Sequence, residues 1–229
     1  MAKKIKDEKR NNVILSVKDV SYKYKGAEED EYALKNISYD FESGKIYAIK
    51  GRSGAGKTTL LSLISGLERC SEGNIIFDGK DLENINLDKY RSSDIGIVFQ
   101  SYNLLPFMTA SENIILSMDA SGIKCKNKKE KAIELMKSVG LKEIYADRRV
   151  LKLSGGEQQR VAIARSLSYN PKMIIADEPT GNLDKQTEKE ILDIFKKLAH
   201  DDNKCVIIVT HSSSVCDEVD CVFELKTNK

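Results

Sequence analysis

The sequence predicts an α/β fold with an N-terminal antiparallel β subdomain and an α-helical subdomain inserted into the α/β core. Three observations support this prediction. Short apolar runs alternate with helical patterns over most of the 229 residues, as in strand–helix–strand units. The first two strand patterns alternate apolar and polar residues, which is typical of half-buried antiparallel strands. Helical patterns without a strand occupy about residues 101–152, and strand patterns resume only at Met173.

The antiparallel subdomain comes first along the chain. Residues 13–22 and 33–41 alternate as half-buried strands do, and the polar residues 25–31 form a loop between them. Tyr24 lies just before this loop. An aromatic ring there could stack on a flat ligand, but from chemistry alone a strand-end ring packed on the sheet is the better interpretation.

A glycine-rich loop follows, and the rest of the chain is organised around it. Residues 51–59 match the pattern G-x-x-x-x-G-K-[ST], between a strand pattern at residues 45–50 and a helical pattern at residues 58–65. Such a loop aims backbone N–H groups at phosphate oxygens, while its lysine adds a cation and its threonine a hydroxyl for Mg²⁺. A glycine-rich turn without a ligand is the weaker alternative. The predicted phosphate-binding residues are Gly51, Arg52, Ser53, Gly54, Ala55, Gly56, Lys57, Thr58 and Thr59.

The helical insert begins after an apolar strand pattern at residues 95–99 that ends at Gln100. Two helices are predicted within it, at about residues 111–120 and 128–139. The next helix opens with Leu-Ser-Gly-Gly at residues 153–156, where Ser154 and the glutamate three residues later form a capping box. A capped helix start with glycines also leaves N–H groups for an anion, so Ser154, Gly155 and Gly156 are candidate ligand contacts.

Two acidic residues end the next strand pattern. Asp177 and Glu178 close an apolar run at the strand end, which is the edge where open α/β sheets bind ligands. Beside a phosphate loop, Asp177 would position Mg²⁺ and Glu178 would orient or deprotonate a water molecule. Without that loop, an exposed acidic turn before Pro179 would be the better interpretation.

The C-terminal part contributes two more candidates. Asp184 is predicted as the N-cap of a helix that carries Ile191 and Phe195 inward. The strand pattern at residues 205–210 is predicted as the last core strand, and it brings His211 to the same sheet edge. A single histidine is usually structural, but this position allows a phosphate contact.

Composition excludes several classes of protein. A chain of this length can bury one sizeable core, and length alone allows one or two domains, of which we predict a single domain over residues 1–229. The 37 Lys and Arg nearly balance the 35 Asp and Glu, so nucleic acid is not expected as a partner. No apolar run is long enough to span a bilayer. Residues 1–12 carry positive charge without an apolar segment behind it, which predicts a flexible tail rather than a signal peptide.

The five cysteines lack C-x-x-C pairing. Their odd number and spacing argue against a disulfide framework and against a zinc site, and they favour the reducing cytoplasm. Cys205 lies in an apolar strand pattern and is expected to be a small core residue.

Taken in order, the motifs resemble those of the nucleotide-binding subunit of ABC transporters. They are the phosphate loop, Gln100, Leu-Ser-Gly-Gly-Glu-Gln-Gln-Arg, Ile-Ile-Ala-Asp-Glu-Pro-Thr, Gly-Asn-Leu-Asp and Val-Thr-His. The resemblance extends over about residues 13–225, and other phosphate-loop ATPases lack the Leu-Ser-Gly-Gly element. It implies a P-loop NTPase core of the RecA-like type, with ATP and Mg²⁺ as ligands.

The resemblance also implies individual roles. Tyr24 would stack on adenine, which reverses the interpretation from chemistry alone. Ser154 and Gly156 would touch the nucleotide of the opposite subunit, with Asp184 at the same interface. The implied catalytic residues are Glu178, His211 and Gln100; the metal ligands are Thr58, Gln100 and Asp177; and the nucleotide contacts outside the phosphate loop are Tyr24, Ser154, Gly155, Gly156 and Asp184.

The implied assembly is a two-fold homodimer with two ATP molecules between its subunits, bound to an integral membrane permease at the inner face of the cell membrane. The apolar residues 104–108 are the candidate permease contact, and core packing of the insert is the alternative. Gly-Asn-Leu-Asp, Tyr-Asn-Leu-Leu-Pro at residues 102–106 and Thr-Ala-Ser-Glu-Asn at residues 109–113 resemble the macrolide-export, lipoprotein-release and antimicrobial-peptide-resistance group.

Three alternative functions can be compared with the sequence, and it leaves the first two open. A regulatory, cell-division-type ATPase that controls a cell-wall hydrolase through a membrane partner also carries Gly-Asn-Leu-Asp. Amino-acid importer subunits are similar overall but typically carry Ser-Ala-Leu-Asp there. A DNA- or ribosome-acting relative would need tandem ATPase domains or a long coiled-coil insert, and the 120 residues between Lys57 and Asp177 accommodate neither. The sequence does not indicate the transported substrate, because substrate contacts lie in other chains.

Overall fold

The structure is a computed structural model that describes residues 12–26, 28 and 31–226. The predicted tail at residues 1–12 therefore lies outside the described residues except for Asn12. Part of the predicted loop at residues 25–31 lies outside them too.

An antiparallel sheet forms the N-terminal subdomain. Its strands are β1 (Val13–Tyr22), β2 (Leu34–Glu42), β4 (Glu72–Phe77) and β5 (Lys80–Asp81), in the spatial order β2-β1-β4-β5. Asp78 and Gly79 both have positive φ, 48° and 74°, and form the two-residue turn between β4 and β5 that Asp-Gly favours. The antiparallel subdomain is thereby confirmed.

The core is a parallel sheet of five strands. They are β3 (Ile46–Gly51), β6 (Ile95–Val98), β7 (Met173–Asp177), β8 (Cys205–Thr210) and β9 (Cys221–Leu225), in the order β6-β7-β8-β3-β9. All residues of β8 are buried, including Cys205 as predicted, as expected for a strand covered on both faces. Tyr39 on β2 stacks on Phe223 on β9 with 4.3 Å between ring centroids, which joins the two sheets.

One strand prediction was wrong. The last core strand is β9 rather than β8, and β9 pairs in parallel with β3, with Ala48 opposite Val222. β9 lies at the sheet edge, and its first four residues alternate between half-buried and exposed. An edge strand this short lacks the continuous apolar run of a central parallel strand, so its pattern was not distinctive.

Seven helices complete the described part of the chain. They are α1 (Lys57–Ile64), α2 (Leu87–Lys89), α3 (Ala110–Ala120), α4 (Lys128–Ser138), α5 (Gly155–Ser166), α6 (Lys185–His200) and α7 (Ser213–Cys216). Short 3₁₀ turns cover Leu82–Asn84, Glu143–Tyr145 and Val150–Lys152, and a π turn covers Tyr90–Asp94. None of the helices in the described ranges is long and apolar enough to cross a bilayer.

The inserted helices pack against α5. Ile114 and Met118 of α3, Met136 of α4 and Val161 of α5 are all fully buried in one apolar cluster. α3 begins with a capping box made by Thr109 and Glu112. The fold class is therefore confirmed, with its helical insert, while the insert boundaries at about residues 101 and 152 stay a prediction.

Candidate nucleotide site

The phosphate loop connects the end of β3 with the start of α1. Gly56 has φ 88°, and a Cβ added there would lie 2.6 Å from the Ala33 carbonyl oxygen. Both the left-handed backbone conformation and the lack of room for a Cβ therefore require glycine. The Lys57 Nζ donates hydrogen bonds to the carbonyls of Gly51 at 2.8 Å and Arg52 at 3.1 Å. No side chain caps α1, and its first turn has no acidic residue. Its N-terminal N–H groups are thus available to an anion.

Tyr24 lies against the helix that follows this loop. Its hydroxyl is 2.7 Å from the Thr59 Oγ1, and its ring meets the Tyr22 ring edge-on with 5.1 Å between centroids. The side chain is 57% exposed. The ring is therefore anchored beside the phosphate loop and still offers surface for stacking.

The two predicted carboxylates and the predicted histidine meet where β7 and β8 end. The Glu178 Oε1 lies 2.7 Å from the His211 Nδ1, and the Thr210 hydroxyl donates to the Glu178 Oε2 at 3.2 Å. The Glu178 side chain is 14% exposed, against 71% for His211. Glu178 also has a positive φ of 45°, which is uncommon for a non-glycine residue and concentrates at functional turns.

Asp177 experiences both the burial and the charges of this edge. Burial raises the pKa of Asp177, the neighbouring Glu178 raises it further, and Lys57 opposes both effects. Asp177 is thus close enough to Lys57 to sense its charge, which connects the carboxylates to the phosphate loop.

Gln100 approaches the same turn from β6. A Cβ added to Gly181 would lie 3.0 Å from the Gln100 Nε2, and Gly181 follows Glu178 by three residues. Asp177, Thr58 and Gln100 together offer oxygen donors of the kind Mg²⁺ accepts. Within the described ranges, no group of three or more His, Cys, Asp or Glu side chains could hold a metal ion. That donor set suits an ion held partly by nucleotide phosphates.

The Leu-Ser-Gly-Gly segment forms the start of α5, as predicted. The Ser154 hydroxyl accepts a hydrogen bond from the Glu157 N–H, and the Glu157 Oε2 accepts one from the Ser154 N–H at 2.8 Å. A Cβ on Gly155 would lie 2.9 Å from the Tyr102 hydroxyl, and one on Gly156 would lie 2.5 Å from the Thr187 Cγ2. Both glycines are therefore closely covered from the same chain.

Asp184 caps α6, also as predicted. Its carboxylate accepts hydrogen bonds from the Thr187 hydroxyl at 2.6 Å and from the N–H groups of Gln186 and Thr187. These bonds, the Thr187 hydroxyl first, lower the pKa of Asp184. Because Thr187 also contacts Gly156, Asp184 and the Leu-Ser-Gly-Gly segment lie together.

The candidate residues thus fall into two groups within one chain. The phosphate loop, Tyr24, Gln100 and the residues at the ends of β7 and β8 form the first group, and residues 154–156 with Asp184 form the second. In the described part of the chain, no hydrogen bond joins residues 154–156 to the phosphate loop.

Sequence reasoning missed several residues that hold these groups. Thr210 bonds Glu178, Thr187 bonds Asp184, and Ser214 connects the Ser212 hydroxyl to Glu188 on α6 at 2.7 and 2.8 Å. The position of Thr210 beside His211 at a strand end was one available signal. The bonds of Thr187 to Asp184 and of Ser214 to Ser212 are also local, three and two residues apart, whereas the bond of Ser214 to Glu188 joins separate segments and leaves no local pattern.

The comparisons with known proteins agree with this geometry. A family model described as ABC transporter matches residues 34–181. The chain is 48% identical over 202 residues to the uncharacterized ABC transporter ATP-binding protein YclH of Bacillus subtilis, covering 88% of each chain. It is 39% identical over 219 residues to the lipoprotein-releasing system ATP-binding protein LolD of Francisella tularensis, covering 94% of each chain.

A solved structure has the same fold. The ATP-binding cassette MJ0796, in a dimeric post-hydrolysis state bound to ADP and Pi, matches with a TM-score of 0.84 and 38% identity, covering 93% of this chain and 94% of that chain. The family model spans more than half of the chain, and the relatives fit the resemblance to the lipoprotein-release group. The chain therefore belongs to the ABC transporter family, as one of its ATP-binding, ATP-hydrolysing subunits.

Proposed function

We propose that two copies of this chain hydrolyse ATP between them and drive a separate membrane permease of the export or mechanotransmission type. The observation that carries the catalytic part is the pair of Glu178 and His211, 2.7 Å apart at the sheet edge beside the phosphate loop. A carboxylate held there by Thr210 and His211 can accept a proton from an attacking water molecule.

The remaining groups position the nucleotide. Lys57 and the N-terminus of α1 neutralise phosphate charge, and Tyr24 stacks on adenine. Thr58, Gln100 and Asp177 hold Mg²⁺, which supplies charge stabilisation to the transferring phosphoryl group when bound. Burial and Glu178 raise the pKa of Asp177, and a divalent cation held there would oppose that shift, because it favours the ionised carboxylate.

The separation of the two residue groups supports a dimer. Ser154, Gly155 and Gly156 begin a helix whose N–H groups suit a phosphate, yet among the described residues of one chain no hydrogen bond joins them to the phosphate loop. In an isologous dimer they contact the partner's nucleotide, with Asp184 beside them. The relative MJ0796 is itself dimeric with ADP and Pi bound.

Trapping the ATP-bound pair tests this proposal. Glu178→Gln keeps the shape of the side chain and removes the proton acceptor, so the variant should form a stable dimer with Mg-ATP, measured by size-exclusion chromatography with light scattering. Glu134→Gln, at an exposed ion pair with Lys131, is the matched control and should cycle between monomer and dimer as the unchanged chain does. A Glu178→Gln chain that stays monomeric in saturating Mg-ATP would contradict the dimer.

The permease contact is proposed at residues 104–108. Phe107 is 82% exposed and Leu105 44% exposed, whereas Leu104 packs against the core cluster. Core packing thus explains Leu104 but leaves Phe107 as an apolar side chain for a partner. With that contact, we propose that the chain lies at the cytoplasmic face of the membrane, bound through its permease.

A paired substitution tests that contact. Phe107→Ser should abolish stimulation of the ATPase by the co-purified permease and leave the basal rate unchanged. Val222→Ser, which changes an exposed apolar residue on β9, should leave both unchanged. Normal stimulation in the Phe107 variant would rule this contact out.

The transported substrate is proposed to be a lipoprotein, a peptide or an antibiotic, because the motifs after Gln100 and the relative LolD point to that group. The Gly-Asn-Leu-Asp turn at residues 181–184 also fits a regulatory ATPase that signals to a cell-wall hydrolase, and an amino-acid importer is a third possibility. Deletion of the co-purified permease separates these functions: lost export supports the first, altered cell-wall cleavage without lost export the second, and lost amino-acid uptake the third.

A further inference from the structure

Arg165 near the end of α5 holds the backbone that follows Gln100. Its guanidinium donates one hydrogen bond to the carbonyl of Asn103 and another to the carbonyl of Tyr102, the latter at 2.9 Å. Both acceptor residues have positive φ, 61° for Tyr102 and 48° for Asn103. Consecutive left-handed residues that are not glycine persist only when their surroundings hold them.

The charge of Arg165 has an unusual environment. Burial lowers the pKa of Arg165, and in the described ranges no carboxylate forms an ion pair with it. A partly desolvated guanidinium needs hydrogen-bond acceptors, and here backbone carbonyls supply them. The hydrogen bonds of Arg165 therefore fix the position of the loop and do not serve to balance a neighbouring charge.

Tyr102 also contacts the other end of α5. Its hydroxyl lies 2.9 Å from where a Cβ of Gly155 would be, so its side chain covers the Leu-Ser-Gly-Gly segment. α5 is one continuous helix from Gly155 to Ser166. Tyr102 therefore contacts both ends of α5. Its carbonyl accepts a hydrogen bond from the C-terminal part of the helix, and its hydroxyl lies against the N-terminal part. Tyr102 is only two positions after Gln100.

We infer that Arg165 is a positioning residue that sets the placement of Gln100 and of residues 154–156 together, by fixing the Tyr102–Asn103 backbone against α5. This inference rests on the proposed function, in which Gln100 serves the nucleotide of its own chain and residues 154–156 serve that of the partner. Arg165 thereby couples the two nucleotide sites of the dimer without touching either.

The test compares two arginines on the same helix. Arg160 donates to the carbonyl of Val139 at 2.6 Å and to Glu190 at 2.7 Å, and so joins α5 to other elements without contacting the Gln100 loop. Arg165→Ala and Arg160→Ala remove the same side chain from α5. Arg165→Lys keeps the charge but loses the fork that spans two carbonyls, and it replaces Arg165→Ala if that variant does not fold.

Four quantities are measured on the full chain: the thermal midpoint, the ATPase turnover, the Mg²⁺ concentration for half-maximal ATPase, and the ATP concentration that dimerises the Glu178→Gln form. Arg165→Ala should raise both concentrations about tenfold and lower the turnover by roughly 10–100-fold, as misplaced groups do. Arg165→Lys should raise both by less. Arg160→Ala should lower the thermal midpoint and leave both concentrations within about twofold.

The outcomes separate this inference from the proposed function. If the parent Glu178→Gln form does not dimerise on ATP, the proposed function fails. If the parent dimerises and Arg165→Ala needs no more ATP or Mg²⁺ than the parent, the inference is overturned. It is overturned equally if Arg160→Ala raises both concentrations as much as Arg165→Ala does, because Arg165 would then act only through general stability.

Discussion

The end of the parallel sheet and the start of α5 carry the two halves of the candidate site, and they are built differently. At the sheet end, Glu178 bonds His211 and Thr210 from the neighbouring strand. At the start of α5, Gly155 and Gly156 contribute only backbone, covered closely by side chains from elsewhere in the chain. The first half depends on charged groups and the second on close packing. Substitutions should therefore change chemistry at the sheet end and change stability and assembly at α5.

The largest expected effect is on catalysis at the sheet end. Glu178→Gln should lower the steady-state ATPase rate about 10³-fold, because general-base catalysis is lost. ATP affinity should change little, since Glu178 bonds other side chains rather than the phosphate loop. The rate is measured by phosphate release, with Glu134→Gln as the control. A loss of less than about tenfold would show that another group takes the proton.

A steric substitution tests the α5 half. Gly156→Ala should destabilise the fold by about 1–3 kcal/mol, as overpacking does, because the added Cβ would lie 2.5 Å from the Thr187 Cγ2. Thr187→Ser removes that methyl group and keeps a hydroxyl for Asp184. The measurement is the free energy of unfolding in urea for both single variants and the double variant.

The double variant shows why Gly156→Ala destabilises the fold. If the methyl contact explains the cost, Gly156→Ala in the Thr187→Ser background should become neutral or stabilising by up to about 1 kcal/mol, since alanine favours the helix more than glycine. Additive effects of the two changes would instead show that the cost does not arise from the contact with the Thr187 methyl group.

Much of the fold could be predicted because its elements carry local patterns. β1 and β8 begin and end at the predicted residues, and both predicted caps, at Ser154 and Asp184, are present. Local patterns also located the candidate residues, because catalytic and phosphate-binding motifs depend on spacing within one segment. Their roles stay predictions until the variants are measured.

The rest depends on contacts between distant segments. β9 was missed because a short edge strand with alternating exposure resembles a loop pattern. The contact of Thr187 with Gly156 and the hydrogen bonds of Arg165 join residues more than 30 positions apart in the chain. No spacing rule within a segment could indicate them, since they exist only once the helices pack.

A smaller effect separates the cap at α5 from its proposed contact with phosphate. Ser154→Ala should cost about 1 kcal/mol of folding free energy, because the N-cap hydrogen bond is lost. Ser154→Asp should keep the cap and its stability, since aspartate is a good N-cap and suits the helix dipole. The aspartate should nevertheless repel phosphate and raise the ATP needed for dimerisation of the Glu178→Gln form more than about tenfold. Equal dimerisation of the Asp and Ser forms would remove Ser154 from the nucleotide contact.

The smallest expected effect is a gain of thermal stability when the ionisable group of Asp177 is removed, and this gain depends on pH. Burial and Glu178 raise the pKa of Asp177 against the opposing effect of Lys57, so the folded state binds this proton more tightly than the unfolded chain does. Ionised Asp177 therefore destabilises the fold at pH values above its folded pKa, and this penalty disappears below its unfolded pKa of about 4. Asp177→Asn removes the ionisation, so without nucleotide and Mg²⁺ it should melt higher than the unchanged chain at about pH 7, with a difference that shrinks toward about pH 4. Asp193→Asn, on the exposed side of α6, should show no such trend in thermal melts followed by circular dichroism. An Asp177→Asn variant that melts lower than the unchanged chain at about pH 7 would mean that attraction to Lys57 outweighs burial at Asp177, and the sheet end would then be stabilised by its charges rather than strained by them.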